Sequence, residues 1–113
     1  MINRPFFRHF VIEINCSFEE ANSIFWIESK CKQLISRFEI KIIKSTSHFF
    51  SPQGISLIYL ISSSHMSIHT WPENNYIHID FLTCDDNKIY DNIEPVLKEI
   101  FSDKQVKYLE LKY

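Results

Sequence analysis

His9-Phe10-Val11-Ile12-Glu13-Ile14-Asn15-Cys16, followed at once by Ser17-Phe18-Glu19-Glu20, decides how the chain is read. In the first eight residues Phe10, Ile12 and Ile14 alternate with His9, Val11 and Glu13, the two-residue period of a strand with one mostly apolar face. Ser17 and Glu20 then have the spacing of a capping box, in which the hydroxyl accepts from a first-turn N–H and the carboxylate reaches back. Beyond it Ala21, Ile24, Phe25, Cys31, Leu34, Ile35 and Phe38 recur at steps of three and four. That spacing predicts one amphipathic helix of about five turns.

The rest of the chain repeats these two patterns. Residues 39–46 and 55–62 alternate, and Tyr76-Ile77-His78-Ile79-Asp80-Phe81 is a third clean alternation. Asp91-Asn92-Ile93-Glu94-Pro95 opens a second helix, since proline is tolerated in a first turn where its missing N–H costs no bond. Val96, Leu97, Ile100 and Phe101 make its apolar stripe, and residues 105–111 form a last strand. Strands outnumber helices and short turns join them. An α+β two-layer sandwich is expected, with a mainly antiparallel sheet and two helices on one face. At 113 residues the chain is expected to form a single domain, residues 1–113.

A composition 45% hydrophobic and 23% charged fits a globular chain and excludes global disorder. Twelve Lys+Arg against fourteen Asp+Glu leave a net charge of -2 with no basic cluster, so no nucleic-acid partner is expected. The longest strongly apolar run, residues 55–61, is far short of the roughly 20 needed to cross a bilayer, so no membrane partner is expected. The opening Met1-Ile2-Asn3-Arg4-Pro5 lacks the apolar core of a signal peptide. Cys16, Cys31 and Cys84 are odd in number and without CxxC spacing. They read as reduced thiols in a cytoplasmic protein rather than disulfides or a zinc site. Gly54, the one glycine, is expected where the backbone makes a turn that a side chain would strain.

Residues 45–72 contain no Asp, Glu, Lys or Arg, yet hold eight of the thirteen serines together with His48, His65 and His69. Such a segment suits a partly buried polar site, where a fixed charge is costly to desolvate, or a buried hairpin whose serines bond locally. The string that separates the two is Ser62-Ser63-Ser64-His65-Met66-Ser67-Ile68-His69-Thr70-Trp71-Pro72-Glu73, with Asp80-Phe81-Leu82-Thr83-Cys84 further on. It resembles the Ser-His-x-x-x-His-Thr-Trp-Pro-Glu run of the prokaryotic S-adenosylmethionine decarboxylase proenzymes, a pyruvoyl-dependent family. The likeness continues upstream through Ser45-Thr46-Ser47-His48-Phe49-Phe50-Ser51-Pro52-Gln53-Gly54-Ile55-Ser56 and covers residues 9–84.

The resemblance implies a self-processing enzyme. In such a chain a serine hydroxyl attacks the carbonyl of the preceding residue, and the ester so formed breaks by elimination. Hydrolysis then leaves an N-terminal pyruvoyl group, whose ketone acts as an electron sink. By match the serine is Ser64, so the cut falls between Ser63 and Ser64. The cofactor implied is a covalent pyruvoyl group derived from Ser64, which holds the substrate as a Schiff base. His69 matches the processing acid/base, a role suited to an imidazole near neutral pH, and Ser56 the hydrogen-bond partner of the processing oxyanion. Cys84 matches the proton donor of the decarboxylation; a free thiol of pKa about 8.5 is mostly protonated at pH 7.

Phe50 and Trp71 match pocket aromatics, which attract a sulfonium and stack on adenine, and Glu73 matches the carboxylate that accepts from ribose hydroxyls. The reaction implied is decarboxylation of S-adenosylmethionine, a small-molecule substrate, to supply the aminopropyl donor for spermidine biosynthesis. The family also implies a homodimer of cleaved protomers with residues of both lining each pocket. Seventeen aromatics and the open face of a one-sided sheet ask for such cover.

Taken singly, each residue has a plainer reading: Trp71 and Phe50 as core, Cys84 as a buried thiol, Glu73 as a solvated carboxylate. His65, His69 and Cys84 as zinc ligands lack a fourth at suitable spacing, so no metal is expected. Order and spacing together favour the site. Departures from the family pattern include Ser63 where Glu is usual, Leu57 where Gly follows Ser56, Phe81 shifted by one place in the family's Phe-Thr-Cys-Gly, and Asp85 where Gly follows Cys84. Asp85 and Asp86 keep open a pyruvoyl-dependent decarboxylase of arginine or ornithine, whose distal cation they would pair. A non-catalytic homologue is the third reading, and the intact Ser64, His69 and Cys84 stand against it.

Overall fold

The computed structural model describes residues 1–62, 64–84 and 88–113. Its strands are β1 (Arg8–Asn15), β2 (Ile42–Phe49), β3 (Ile55–Ile61), β4 (Ser64–Trp71), β5 (Tyr76–Thr83) and β6 (Gln105–Leu111). Its helices are α1 (Phe18–Ala21), α2 (Ile24–Arg37) and α3 (Ile93–Ile100). The strands form one sheet in the order β2-β3-β4-β5-β1-β6, and every neighbouring pair runs antiparallel. The expected α+β sandwich is the observed architecture.

Alternation along the strands sends one set of side chains beneath the helices. Phe10 lies opposite Phe81, which lies opposite Met66; Ile12 lies opposite Ile79, which lies opposite Ile68. These apolar rows cross the sheet under Ile27, Cys31, Leu34 and Ile35 of α2 and Val96, Leu97 and Ile100 of α3, all of them buried. Each fully buried side chain of this size contributes about 1.5–3 kcal/mol, so the rows set the register. At one corner Arg8 holds β6, its Nε and Nη2 donating to the two Glu110 oxygens at 2.8 Å each, while Nη1 reaches Asp91 at 2.7 Å. The guanidinium holds the Glu110 carboxyl below the usual carboxylate range.

The first helix is broken where the sequence pattern reads as continuous. The capping box forms: Ser17 Oγ accepts from the Glu20 N–H at 3.1 Å, and Glu20 Oε1 accepts from the Ser17 N–H at 2.9 Å. It caps only the single turn of α1. Asn22 closes that turn and Ser23 caps again, its Oγ accepting from the Trp26 N–H at 3.2 Å. The second start resets the buried stripe, so Phe25 is 84% exposed and Ile27 only 2%. At the far end of α2, Ile40 N–H donates to Ile35 O at 3.4 Å and Glu39 N–H to Ser36 O at 3.1 Å, with Glu39 left-handed at φ 58. This is a Schellman closure with Glu in the place usually given to Gly. The turn delays β2, which starts at Ile42 rather than residue 39 and is bulged between Ile42 and Lys44. Among the described residues no helix is long and apolar enough to cross a membrane.

Cys16 and Cys31 lie in the core, where burial pushes their thiols up to about 11 and about 12, whereas Cys84 is exposed. Alkylation follows the thiolate, so iodoacetamide at pH 8 is expected to label the native chain at Cys84 alone and all three thiols after denaturation. The helix break makes a second test. Phe25→Ala should change stability by less than about 0.5 kcal/mol in urea unfolding, and Ile27→Ala should cost about 2–5 kcal/mol. A single unbroken helix would reverse that order.

Candidate active site

Ser64 opens β4 opposite Ile61 and shares the helix side of the sheet with Met66 and Ile68. Its Oγ is buried and has no hydrogen-bond partner among the described residues, a costly state for a hydroxyl unless something else uses it. A cleft of about 450 Å³ is lined by Ser64, Ile61, Ser62, Thr83, Cys84 and Tyr90, together with the Phe38–Lys41 turn at the end of α2. Ser64 and Cys84, far apart in sequence, are thus brought to one cavity. Two other hollows of similar size hold none of the expected residues: about 480 Å³ around Arg4, Phe7 and Arg8, and about 570 Å³ around Glu13 and Tyr76.

A second group gathers toward the other end of β4. Ser56 Oγ and His69 Nδ1 lie 2.6 Å apart across the β3–β4 ladder, on the face away from the helices. If Nδ1–H donates to Ser56, the Nε2 lone pair is left free to take a proton. Register continues this row on both sides, from His48 opposite Ser56 to His78 opposite His69 and Glu13 opposite His78. Trp71 follows on the same face, its ring 6.3 Å from His69 and 5.7 Å from Tyr76. The Phe50 ring packs edge-on to His48 at 4.6 Å. Glu73 sits exposed in the 3-10 turn Pro72–Asn74 directly after Trp71.

The turn that carries Phe50 is tied from three sides. Phe50 N–H donates to Gly54 O at 2.9 Å, Gly54 N–H to Asn22 Oδ1 at 3.0 Å, and Ile55 N–H to the buried Thr70 Oγ1 at 2.9 Å. Gly54 has φ 109, and a Cβ there would meet Thr70 O at 3.5 Å, so the lone glycine stands where its conformation is required. Asn22, which ends α1, thereby links the helix break to the turn before Ser56.

The expected residues therefore fall into two groups. Ser64 and Cys84 share a cleft on the helix side; Ser56, His69, Trp71, Phe50 and Glu73 lie toward the opposite end. Five residues of strand span about 16 Å between Ser64 and His69, which also point to opposite faces. Ser63, Asp85 and Asp86 lie outside the described residues. Missed by sequence reading were Thr70, Asn22, His78, His9 and Asp80. The two-residue alternation placed His78 with Asp80, but which strands would bring partners to them was not visible. Among the described residues no group of three His, Cys, Asp or Glu is arranged to hold a metal ion.

Residues 8–112 match the family described as S-adenosylmethionine decarboxylase. An S-adenosylmethionine decarboxylase proenzyme of Clostridium botulinum (strain Langeland) is 39% identical over 106 residues, covering 91% of this chain and 90% of that protein. The proenzyme of Thermotoga petrophila is 38% identical over 96 residues, covering 80% and 74% respectively. The crystal structure of the adenosylmethionine decarboxylase from Aquifex aeolicus superposes with a TM-score of 0.77 at 20% identity, over 96% of this chain and 91% of that one. That likeness establishes the fold, and the family match together with the closer relatives establishes kinship: the chain belongs to the S-adenosylmethionine decarboxylase family.

Proposed function

We propose that the chain is one self-processing domain, residues 1–113, that cleaves itself between Ser63 and Ser64 and then decarboxylates S-adenosylmethionine in the cytoplasm. The observation that carries this reading is the buried Ser64 Oγ, without a partner among the described residues, lining one cleft with Cys84. A hydroxyl whose fate is to be consumed needs no lasting partner, and the cavity beside it leaves room for a substrate. Ser64 Oγ attacks the carbonyl carbon of residue 63; the C–O bond forms, the C–N bond breaks, and the nitrogen takes the proton. His69 then removes the proton on Cα of residue 64, the Cβ–O bond breaks, and residue 63 leaves as a carboxylate. Addition of water and loss of ammonia leave a pyruvoyl group at residue 64.

That group supplies the electron sink for decarboxylation. Cys84 Sγ–H delivers the proton to the substrate's α-carbon. Phe50 and Trp71 cover adenine and sulfonium, and Glu73 accepts from the ribose hydroxyls. Ser56 holds His69 through the 2.6 Å contact and serves the processing oxyanion.

One chain cannot assemble these parts, because Ser64 and His69 are about 16 Å apart on opposite faces. A homodimer supplies the missing half when the partner's His69, Ser56, Phe50, Trp71 and Glu73 approach the Ser64 cleft. The open face of the sheet exposes Ile58 (43%), Leu60 (47%) and Leu109 (60%), apolar area that pairing would cover.

Intact mass after incubation is expected to show fragments 1–63 and 64–113, the second one ammonia lighter than a free serine terminus, and Ser64→Ala should leave one chain. Carbon dioxide release is expected from S-adenosylmethionine and not from arginine or ornithine, with Glu73→Gln weakening binding by about 1–3 kcal/mol. The shared site has its own test. A His69→Ala chain alone should stay uncut, yet be cut when co-expressed with a Ser64→Ala chain that lends its His69. No rescue in the mixed dimer would place the whole site in one chain.

A further inference from the structure

The open face holds a cluster that the chemistry above leaves unused. His65 Nε2 lies 3.3 Å from Asp80 Oδ1, and His9 Nε2 lies 3.1 Å from each Asp80 oxygen. His9 Nδ1 in turn meets the Tyr113 hydroxyl at 2.7 Å. One carboxylate on β5 is therefore held between an imidazole of β4 and an imidazole of β1. Register places Asp80 opposite both Ser67 and Val11, so each imidazole reaches it diagonally from its own strand. His9 and Asp80 are the more enclosed pair, with side chains 15% and 31% exposed against 44% for His65.

We propose that His65, Asp80 and His9 form an anchor for the chain end that self-cleavage creates, positioning residue 64 without touching its chemistry. This rests on the reading of Ser64 as the processing residue. Before the cut, the start of β4 is tied to the end of β3 through residues 62 and 63, with Ile61 opposite Ser64. After the cut residue 64 is a terminus, and termini fray unless something ties them down. A pyruvoyl end has neither an N–H nor a hydroxyl. The first residue of the new fragment able to donate from both backbone and side chain is His65.

Its partner Asp80 belongs to the same fragment, but His9 belongs to the other, so the cluster joins the two products of cleavage across the β1–β5 ladder. With His65 held on the open face, alternation keeps residue 64 turned toward the Cys84 cleft. Loss of the anchor lets the terminus turn away from the cleft.

His65→Ala, His65→Gln and Asp80→Ala are compared in two backgrounds, the cleaved protein and the uncleavable Ser64→Ala chain. Backbone hydrogen exchange over residues 65–67 and the kcat and KM for S-adenosylmethionine are measured. In cleaved His65→Ala and Asp80→Ala, exchange is expected to quicken about tenfold or more, and kcat per pyruvoyl chain to fall about tenfold with KM within about twofold. In the uncleavable background exchange should change less than about twofold. His65→Gln, whose amide still donates to Asp80, should recover most of both losses.

Equal acceleration in the two backgrounds would mean an ordinary sheet contact and overturn the anchor, as would unchanged exchange and kcat in the cleaved variants. A wild-type chain that intact mass shows never to cleave overturns the reading of Ser64, and the anchor with it. Should His65→Ala fail to fold, His65→Gln and Asp80→Ala decide by the same criteria.

Discussion

Successive side chains of a strand face opposite ways, so Ser64 and His65 cannot share a surface, nor can His69 and Thr70. β4 lies inside the sheet with a ladder on each side, and Met66 and Ile68 are pinned in apolar rows beneath the helices. A slip of one residue would drive His65, Ser67 and His69 into the core and expose two large apolar side chains, at a cost no local bond could offset. Hydrophobic packing thus dictates the direction of every polar group on the strand. The buried hydroxyl, the imidazole bonded to Ser56 and the imidazole bonded to Asp80 are consequences of where Met66 and Ile68 must go.

Fixed charge is kept to the margins of this arrangement. Arg8, Glu110 and Asp91 close one corner, and Lys104 reaches the capping carboxylate Glu20 at 2.7 Å near the opposite end of β6. Residues 45–72 carry no Asp, Glu, Lys or Arg. The half of the candidate site that includes Ser56 and His69 is thereby built from hydroxyls and imidazoles, which lose less than ions wherever water is excluded. Elsewhere the open face does carry charge: Asp80 has imidazole nitrogens on two sides, and Glu13 accepts from the Tyr76 hydroxyl at 2.7 Å.

Much of the fold was legible because period-two and period-three-to-four spacing report which face is buried, whatever the partner. β1, β5 and α3 follow their apolar spacing closely, whereas Leu109 and Leu111 of β6 turn to the open face. The break at Asn22 was not legible: Phe25 fits the helical stripe, and only tertiary demand, the reach of Asn22 to Gly54, favours a fresh cap at Ser23. β4 was masked by its own content, since Ser64, Ser67, His65 and His69 dilute the apolar alternation that Met66 and Ile68 carry. The motif named the residues of the candidate site but not their arrangement. Which residues share a cleft depends on ladder order, and strand order is not a local property of sequence. The placement of Ser64 and His69 at separate ends, and of His9 beside Asp80, had to come from the fold.

The order β2-β3-β4-β5-β1-β6 would give the proposed cut after Ser63 a consequence for the life of the molecule. The first fragment then owns β1, β2 and β3, and the second owns β4, β5 and β6. β1 is inserted between two strands of the other fragment, and β3 borders a third, so three of the five ladders bind one fragment to the other. The pieces cannot drift apart without unfolding the sheet. If they do unfold, reassembly is a meeting of two separate molecules, dependent on their concentration, where the uncut precursor needed only to close its own loops. On the proposed processing, the uncut chain would be the form in which the fold is easily reached, and the cleaved protein would hold a structure that it assembled while it was still one chain.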